Sequence, residues 1–480
     1  MLLPSFFRKN LFITLLLTGL FISQSCQKTP ALPDNFVSFQ TNALGFPTTE
    51  STISIIIAFS RAATTAGTIT INTALVGVVY DNQITTSPAL VSNTIQVPVV
   101  IGDISESITL SKKSGALFEG TESMKFTISA LPAEMIFGPN LTLNISFAQI
   151  ISSGAAETTI DGGGANHPNK VFIDLSGNKM TSIPRSDWDL GFASGNDFRV
   201  KLNSANGMLA LSTGKSDMNA VTAADTIGLG SRFSLGAVFN AIIGTDVPAW
   251  IAGTPAWIDD PSGDLSKTSI TEVSSTDTSN KVYIINEGMG IGTPAPPLPW
   301  KKVRILRKGS GYLIQYADIN ATTFTETNIN KDITRNFQYM DLEKGIVSVE
   351  PDKEQWDISW SGFTNLTNLG AGLVPYYFQD VILQNPYKVQ TVQILNTTKD
   401  YSAFGESDLT TLNFGVQSQV NIGANWRTGG GPTSAPAIRN DRYYIIKDAS
   451  NNVYKLRFTA LDSNGERGKP KFEYALVKKG

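Results

Sequence analysis

The chain has 480 residues, a formal net charge of −3 and 16% charged residues, against roughly 25% in an average soluble domain. That charge balance, with no basic stripe interleaved with aromatics, argues against a nucleic-acid partner. One cysteine and one histidine exclude disulfides within the chain and metal sites built from several Cys or His ligands.

Residues 1–26 read as a lipoprotein signal peptide. Arg8 and Lys9 precede an apolar run from Leu11 to Ile22, which is too short to span a bilayer comfortably. Cys26 is the only thiol and stands where an exported lipoprotein receives its lipid. The mature chain is therefore expected to be exported and held to a membrane by a lipid anchor. Residues 27–35, "QKTPALPDN", form a short tether.

Residues 36–150 alternate apolar and polar side chains with period two, in runs such as "STISIIIAFS" and "GTITINTALVGVVY" broken by turns. Short strands at this spacing predict a β-sandwich. The segments "VSFQT", "GTITINT" and "FEGTESMKFTIS" resemble the Calx-β group of sandwiches. That resemblance implies calcium near the sandwich tip, with Asp103, Glu106, Glu119 and Glu122 as candidate ligands. Calcium takes about six to eight oxygen ligands and this acidic set is thin, so a spacer sandwich with solvated glutamates is the competing reading.

Residues 151–170 carry a glycine triplet and no apolar periodicity, and read as a linker that contains His167, the sole histidine. From 171 to 480 strands predominate. "RFSLGAVFNAIIG" at 232 is the best helical segment, and "TDVPAWIAGTPAWIDDPSGDL" at 245 reads as a loop. Trp250 and Trp257 on that loop either line an apolar ligand site or pin the loop to the sheet.

This region is duplicated, in halves of about 171–335 and 336–480. "RSDWDLGFASG" at 185 returns as "KEQWDISWSGF" at 353, "NKVFIDLSGNKM" at 169 answers "RNFQYMDLEKGI" at 335, and "KVYII" at 281 answers "RYYII" at 442. In each copy the Trp is expected to pack a core and the Asp to cap a neighbouring turn.

The motifs "FIDLSGNKM…SDWDLGF" and "EQWDISWSGF", with the ending "RYYIIKDASNNVYKLRFTALDSNGERGKPKFEYALV", resemble HmuY, a family of haem-binding lipoproteins of Bacteroidetes. The resemblance implies an all-β fold, a lipid anchor at the outer membrane on its cell-surface or periplasmic face, and haem or porphyrin captured for a TonB-dependent receptor, in the service of iron acquisition. In the family the first axial histidine follows soon after the first Trp-Asp strand. The matching positions here hold Ala193, Ser194 and Gly195, and the second position lies further on in the same half, where no histidine stands. Some relatives use methionine, and a thioether can hold haem iron. Met208 and Met218 are thus the implied ligand candidates, with core packing as their other reading.

An enzyme is not expected. A Ser-His-Asp triad would have to recruit His167, no Gly-x-Ser-x-Gly elbow occurs, and "GMGIGTP" at 288 runs into prolines that forbid a following helix. The adjacent acids Asp259 and Asp260 read as turn and cap residues before they read as a glycosidase pair. The expected protein is all-β, an N-terminal β-sandwich followed by a duplicated, mostly antiparallel domain. It binds haem or porphyrin, or else serves adhesion or surface assembly on a scaffold that no longer binds haem.

Overall fold

The computed structural model describes residues 32–370, 372–430 and 434–480. The signal peptide, Cys26 and most of the tether lie outside these residues. The chain divides into two compact units, 1–150 and 151–480.

The first unit is a sandwich. Its strands are β1 (Asn35–Phe39), β2 (Ala43–Phe46), β3 (Thr52–Phe59), β4 (Gly67–Val76), β5 (Ile84–Ser87), β6 (Leu90–Val91), β7 (Thr94–Val99), β8 (Ser105–Lys112), β9 (Ser123–Ala130), β10 (Met135–Phe137) and β11 (Thr142–Phe147). They form one sheet in the order β10-β1-β3-β8-β5 and another in the order β2-β11-β9-β4-β7-β6. Period-two alternation does what it predicts: Ile55, Ile57 and Phe59 of β3 point inward and meet Ile69, Ile71, Phe126 and Ile145 in one core.

The second unit opens with β12 (Gly154–Thr159), β13 (Asn169–Asp174), β14 (Lys179–Pro184), β15 (Leu190–Ala193), β16 (Val200–Leu202) and β17 (Leu209–Ser212). Helix α1 (Leu235–Ile242) follows, then β18 (Val282–Asn286), β19 (Trp300–Lys308), β20 (Gly311–Asp318) and β21 (Thr325–Ile329). The remaining strands are β22 (Phe337–Asp341), β23 (Gly345–Val347), β24 (Ile358–Asn368), β25 (Leu373–Gln384), β26 (Gln390–Leu395), β27 (Arg442–Lys447), β28 (Val453–Ala460) and β29 (Lys471–Lys478). Ser234 caps α1 by accepting the Ala237 N–H.

The duplication is real, but its halves are not consecutive blocks. Hairpin β13–β14 pairs with β24 of the other repeat, and hairpin β22–β23 pairs with β15 of the first. The outer sheets are assembled differently, since β12, which precedes both halves, closes β29-β28-β27-β26 of the second half, while β21 closes β17-β18-β19-β20 of its own half. A boundary at 335/336 therefore cuts the chain between strands that belong to each other's sheets.

The Trp-Asp motif holds this exchange. Trp188 packs edge-on against Tyr339 at 4.9 Å, and Trp356 against Phe172 at 5.0 Å. Asp189 accepts the Leu342 N–H at 2.7 Å, and Asp357 accepts the Leu175 N–H at 2.8 Å. Asn203 donates to the Arg185 and Trp188 carbonyls as Asn385 donates to those of Lys353 and Trp356. Each Asp does cap a turn, but the turn belongs to the opposite repeat.

The glycine-rich segment is no linker. It supplies β12, and its glycines permit contact: a Cβ on Gly162 would lie 2.1 Å from the Trp360 ring, and the Gly162 N–H donates to the Gly468 carbonyl at 2.9 Å. Likewise 245–265 is not a loop throughout, because Ala249–Trp257 forms a 3₁₀ helix.

Replacing Trp188 or Trp356 by Ala is expected to cost about 3–5 kcal/mol each. Both variants should lower one and the same calorimetric transition of the 151–480 unit; separate transitions for the two repeats would contradict the exchange.

Candidate functional site

The exchanged strands surround a cavity of about 1290 Å³ within the 151–480 unit, above the roughly 300–1,000 Å³ of pockets for drug-sized ligands. Both Trp-Asp motifs contribute to its wall, where Phe172, Trp188, Phe337, Tyr339 and Trp356 pack into one aromatic cluster. The segment 258–268 and the loop 416–419 complete it, joined where the Gln419 N–H donates to the Ser262 carbonyl at 2.9 Å.

Charge is set into this apolar wall. Lys201 lies 3.7 Å from the centre of the Phe337 ring and donates to the Tyr339 hydroxyl at 3.1 Å. That hydroxyl donates to Glu350 at 3.1 Å, and the Phe337 N–H donates to the other Glu350 oxygen at 2.7 Å. Lys170 sits 5.1 Å from the Phe172 ring, a cation–π arrangement like that of Lys201. Burial pushes the Lys170 ammonium down to about 7, helped by the Lys201 charge, and pushes Lys201 down to about 8 against the pull of Glu350 and Asp259. Burial raises the Glu350 carboxyl and takes Asp259 up to about 6.

At the rim, Lys353 and Lys388 flank the Tyr387 ring at 4.4 and 4.9 Å. Lys447 also lines the cavity, and basic side chains outnumber acidic ones around it. Three polar groups of the wall, the Trp188 and Trp356 indole N–H and the Ser359 hydroxyl, are buried without a hydrogen-bond partner in the chain.

The candidate residues fall in different places. Ala193 and Gly195 line the cavity and Ser194 is buried beside them with its hydroxyl unpartnered. Met208 is in the cavity wall, packed with Leu190, Phe192 and Val200. Met218 belongs to another core with Val221, Phe233 and Trp257, so the two methionines do not share a site. Trp250 and Trp257 stack on each other at 5.9 Å in that second core, and Trp257 meets Phe233 edge-on. They pin the 3₁₀ helix and do not line the cavity.

His167 is buried elsewhere. Its Nδ1 lies 2.8 Å from the Ala165 carbonyl, its Nε2 3.1 Å from Asp380, and its ring stacks on Trp360. Burial pushes Asp380 upward, yet its contacts with His167 and Arg467 hold it below the usual carboxylate value. Asp260 accepts the Ser262 N–H as a turn residue, whereas Asp259 accepts the Leu202 and Ser269 N–H groups and so ties its segment to β16.

In the sandwich, Glu122 accepts the Glu119 and Gly120 N–H groups and Asp103 that of Val100. Burial and the adjacent Asp103 raise the Glu106 carboxyl. No group of three or more His, Cys, Asp or Glu that could hold a metal ion occurs among the described residues, and none of their helices is long and apolar enough to cross a membrane.

Lys170, Lys201, Tyr339 and Glu350 escaped sequence reasoning. Their signal was available but faint: a single charge inside an apolar strand run, as in "NKVFID".

These features define a class, an all-β protein of two interlocked repeats around a large apolar and cationic cavity. The chain belongs to the HmuY family: the profile described as "HmuY protein" matches residues 166–339 and again 333–474. Comparison with curated proteins finds no match. Among solved structures, the chain is similar to CBD12 from CALX1.2 at 10% identity and TM-score 0.20, covering 37% of this chain and 61% of that one. It is similar to a two-domain protein of unknown function from Bacteroides fragilis, at 10% identity and TM-score 0.19, over 44% and 75% of the two chains. A putative carbohydrate binding protein from Bacteroides ovatus gives 10% identity and TM-score 0.18 over 92% and 98%.

The two lysines set a pH dependence. Their folded values lie below the ordinary 10.5, so between pH 7 and about 10 the unfolded chain binds more protons and stability rises with pH. Denaturation midpoints of the 151–480 transition should increase from pH 7.5 to 9, and the increase should shrink in Lys170→Met.

Proposed function

We propose that this protein is a lipid-anchored binding protein of the cell envelope, held by Cys26, that captures haem or a porphyrin in the cavity between its exchanged repeats and passes it to an outer-membrane uptake system of the TonB-dependent kind. One observation carries the reading. The cavity is lined by Ala193 and Gly195, in the segment that follows the first Trp-Asp strand, where the family resemblance locates the ligand-facing wall. Its aromatic walls suit a flat apolar ring, and its basic rim suits the carboxylates such a ring carries. Asp259 and Asp260 of its wall are engaged by backbone amides.

A competing reading, adhesion or surface assembly on a scaffold that has lost haem, is favoured by the same small residues, which offer no histidine to iron. Titration with haem separates the two. The protein should give a saturating Soret shift, and Gly195→Trp should abolish it by filling the cavity, since a Cβ at Gly195 meets nothing within 4 Å. No shift in the unaltered protein would favour a protein or glycan partner. Separately, Cys26→Ser should release the exported protein from the membrane fraction into the soluble one; retention in the membrane would contradict the anchor.

A further inference from the structure

Resting on the reading of the cavity as a haem or porphyrin site, we infer that this protein recognises the ring by its faces and its carboxylates and not by its central metal, so that an iron-free porphyrin is bound as well as haem.

The inference begins with what can reach iron. The sole histidine is buried outside the cavity wall with both ring nitrogens facing oxygen acceptors, at the Ala165 carbonyl and Asp380. Both nitrogens are committed, and freeing Nε2 would take one partner from Asp380, which is fully buried and also pairs with Arg467 and Arg427. A buried carboxylate that loses a partner is costly, so the structure resists lending His167 to a ligand. Met218 belongs to a different core. Met208 is the one methionine among the described lining residues, and it is 1% exposed and packed among Leu190, Phe192, Val200 and Leu202, while the lining hydroxyls of Tyr339 and Tyr387 donate to Glu350 and Glu354. A thioether there supplies the ring with a packing surface. The wall segment Ala193 to Gly195 offers a methyl, a buried hydroxyl and no side chain.

What can reach the periphery of a ring is, by contrast, abundant. Lys170 and Lys201 stand among the aromatics of the interior, and Lys353, Lys388 and Lys447 stand at the rim. Lys353 and Lys388 share the Tyr387 ring as their neighbour, which leaves their ammonium groups free to meet an anion at the mouth. Carboxylates of a ligand that entered ring-first would lie against these ammonium groups, where partial desolvation strengthens each pair. None of these contacts involves the metal.

The test is a pair of equilibrium titrations of the full chain, one with haem and one with iron-free protoporphyrin IX, read by quenching of tryptophan fluorescence, with the haem spectrum recorded alongside. The expected result is dissociation constants equal within about threefold, and haem bound without the low-spin bands of a strong axial ligand. Lys353→Glu/Lys388→Glu should weaken both ligands together, by about tenfold or more. Gly195→His, placed in open space at the wall, should raise the affinity for haem alone and bring in a histidine-ligated spectrum. Haem bound about tenfold or more tighter than the iron-free ring, with low-spin bands that Met208→Leu removes, would overturn the inference and leave the haem reading intact. Binding of neither ligand would instead remove the reading itself, and the inference with it.

Discussion

The architecture of the 151–480 unit depends on one reciprocal interaction. Asp189 and Asp357 each accept a backbone N–H from a hairpin of the opposite repeat, while the tryptophan preceding each packs against an aromatic of that same hairpin. A carboxylate buried in this way is tolerated only because its oxygens are engaged. Burial still lifts the Asp189 carboxyl to about 7, and the Leu342 N–H pulls the other way. Neither repeat can satisfy its own Asp, so neither closes its own core. A duplicated sequence thereby becomes a single cooperative body.

The cavity is a consequence of that exchange. Because Phe172 and Tyr339 are carried across to meet the opposite Trp, the two Trp-Asp motifs converge, and the residues beyond them line a common space. Lysines on the exchanged strands come with them. Lys170 belongs to β13, Lys201 to β16, and Glu350 lies just past β23, yet the first two share the field of the third. The membership in the HmuY family and the charged aromatic interior meet in one place, and the proposed ligand capture rests on that coincidence.

Much of the fold was legible in the sequence because strand periodicity reports which face is buried. The sandwich alternation, the α1 segment and the two Trp-Asp copies could all be read that way. Periodicity does not report which strand is the neighbour, so the exchange between repeats stayed hidden. Glycine is ambiguous in the same manner. A run of three reads as flexibility, whereas at Gly162 the missing side chain is what lets the backbone lie on Trp360. Apolar residues are the hardest to assign singly: Met208 and Met218 look alike in "NGMLALSTGKSDMNAV", and only packing sends one to the cavity wall and the other to a separate core. Trp250 and Trp257 follow the same logic, since the two indoles stack on each other within a 3₁₀ helix that belongs to the separate core.

The most direct test of this account is hydrogen exchange, followed by mass spectrometry, on Asp189→Ala. The exchange of strands predicts that protection is lost in the hairpin 337–347, far along the chain, because its Leu342 amide has lost its acceptor. Loss confined to 185–203, with 337–347 as protected as before, would show that each repeat closes on itself and would contradict the account.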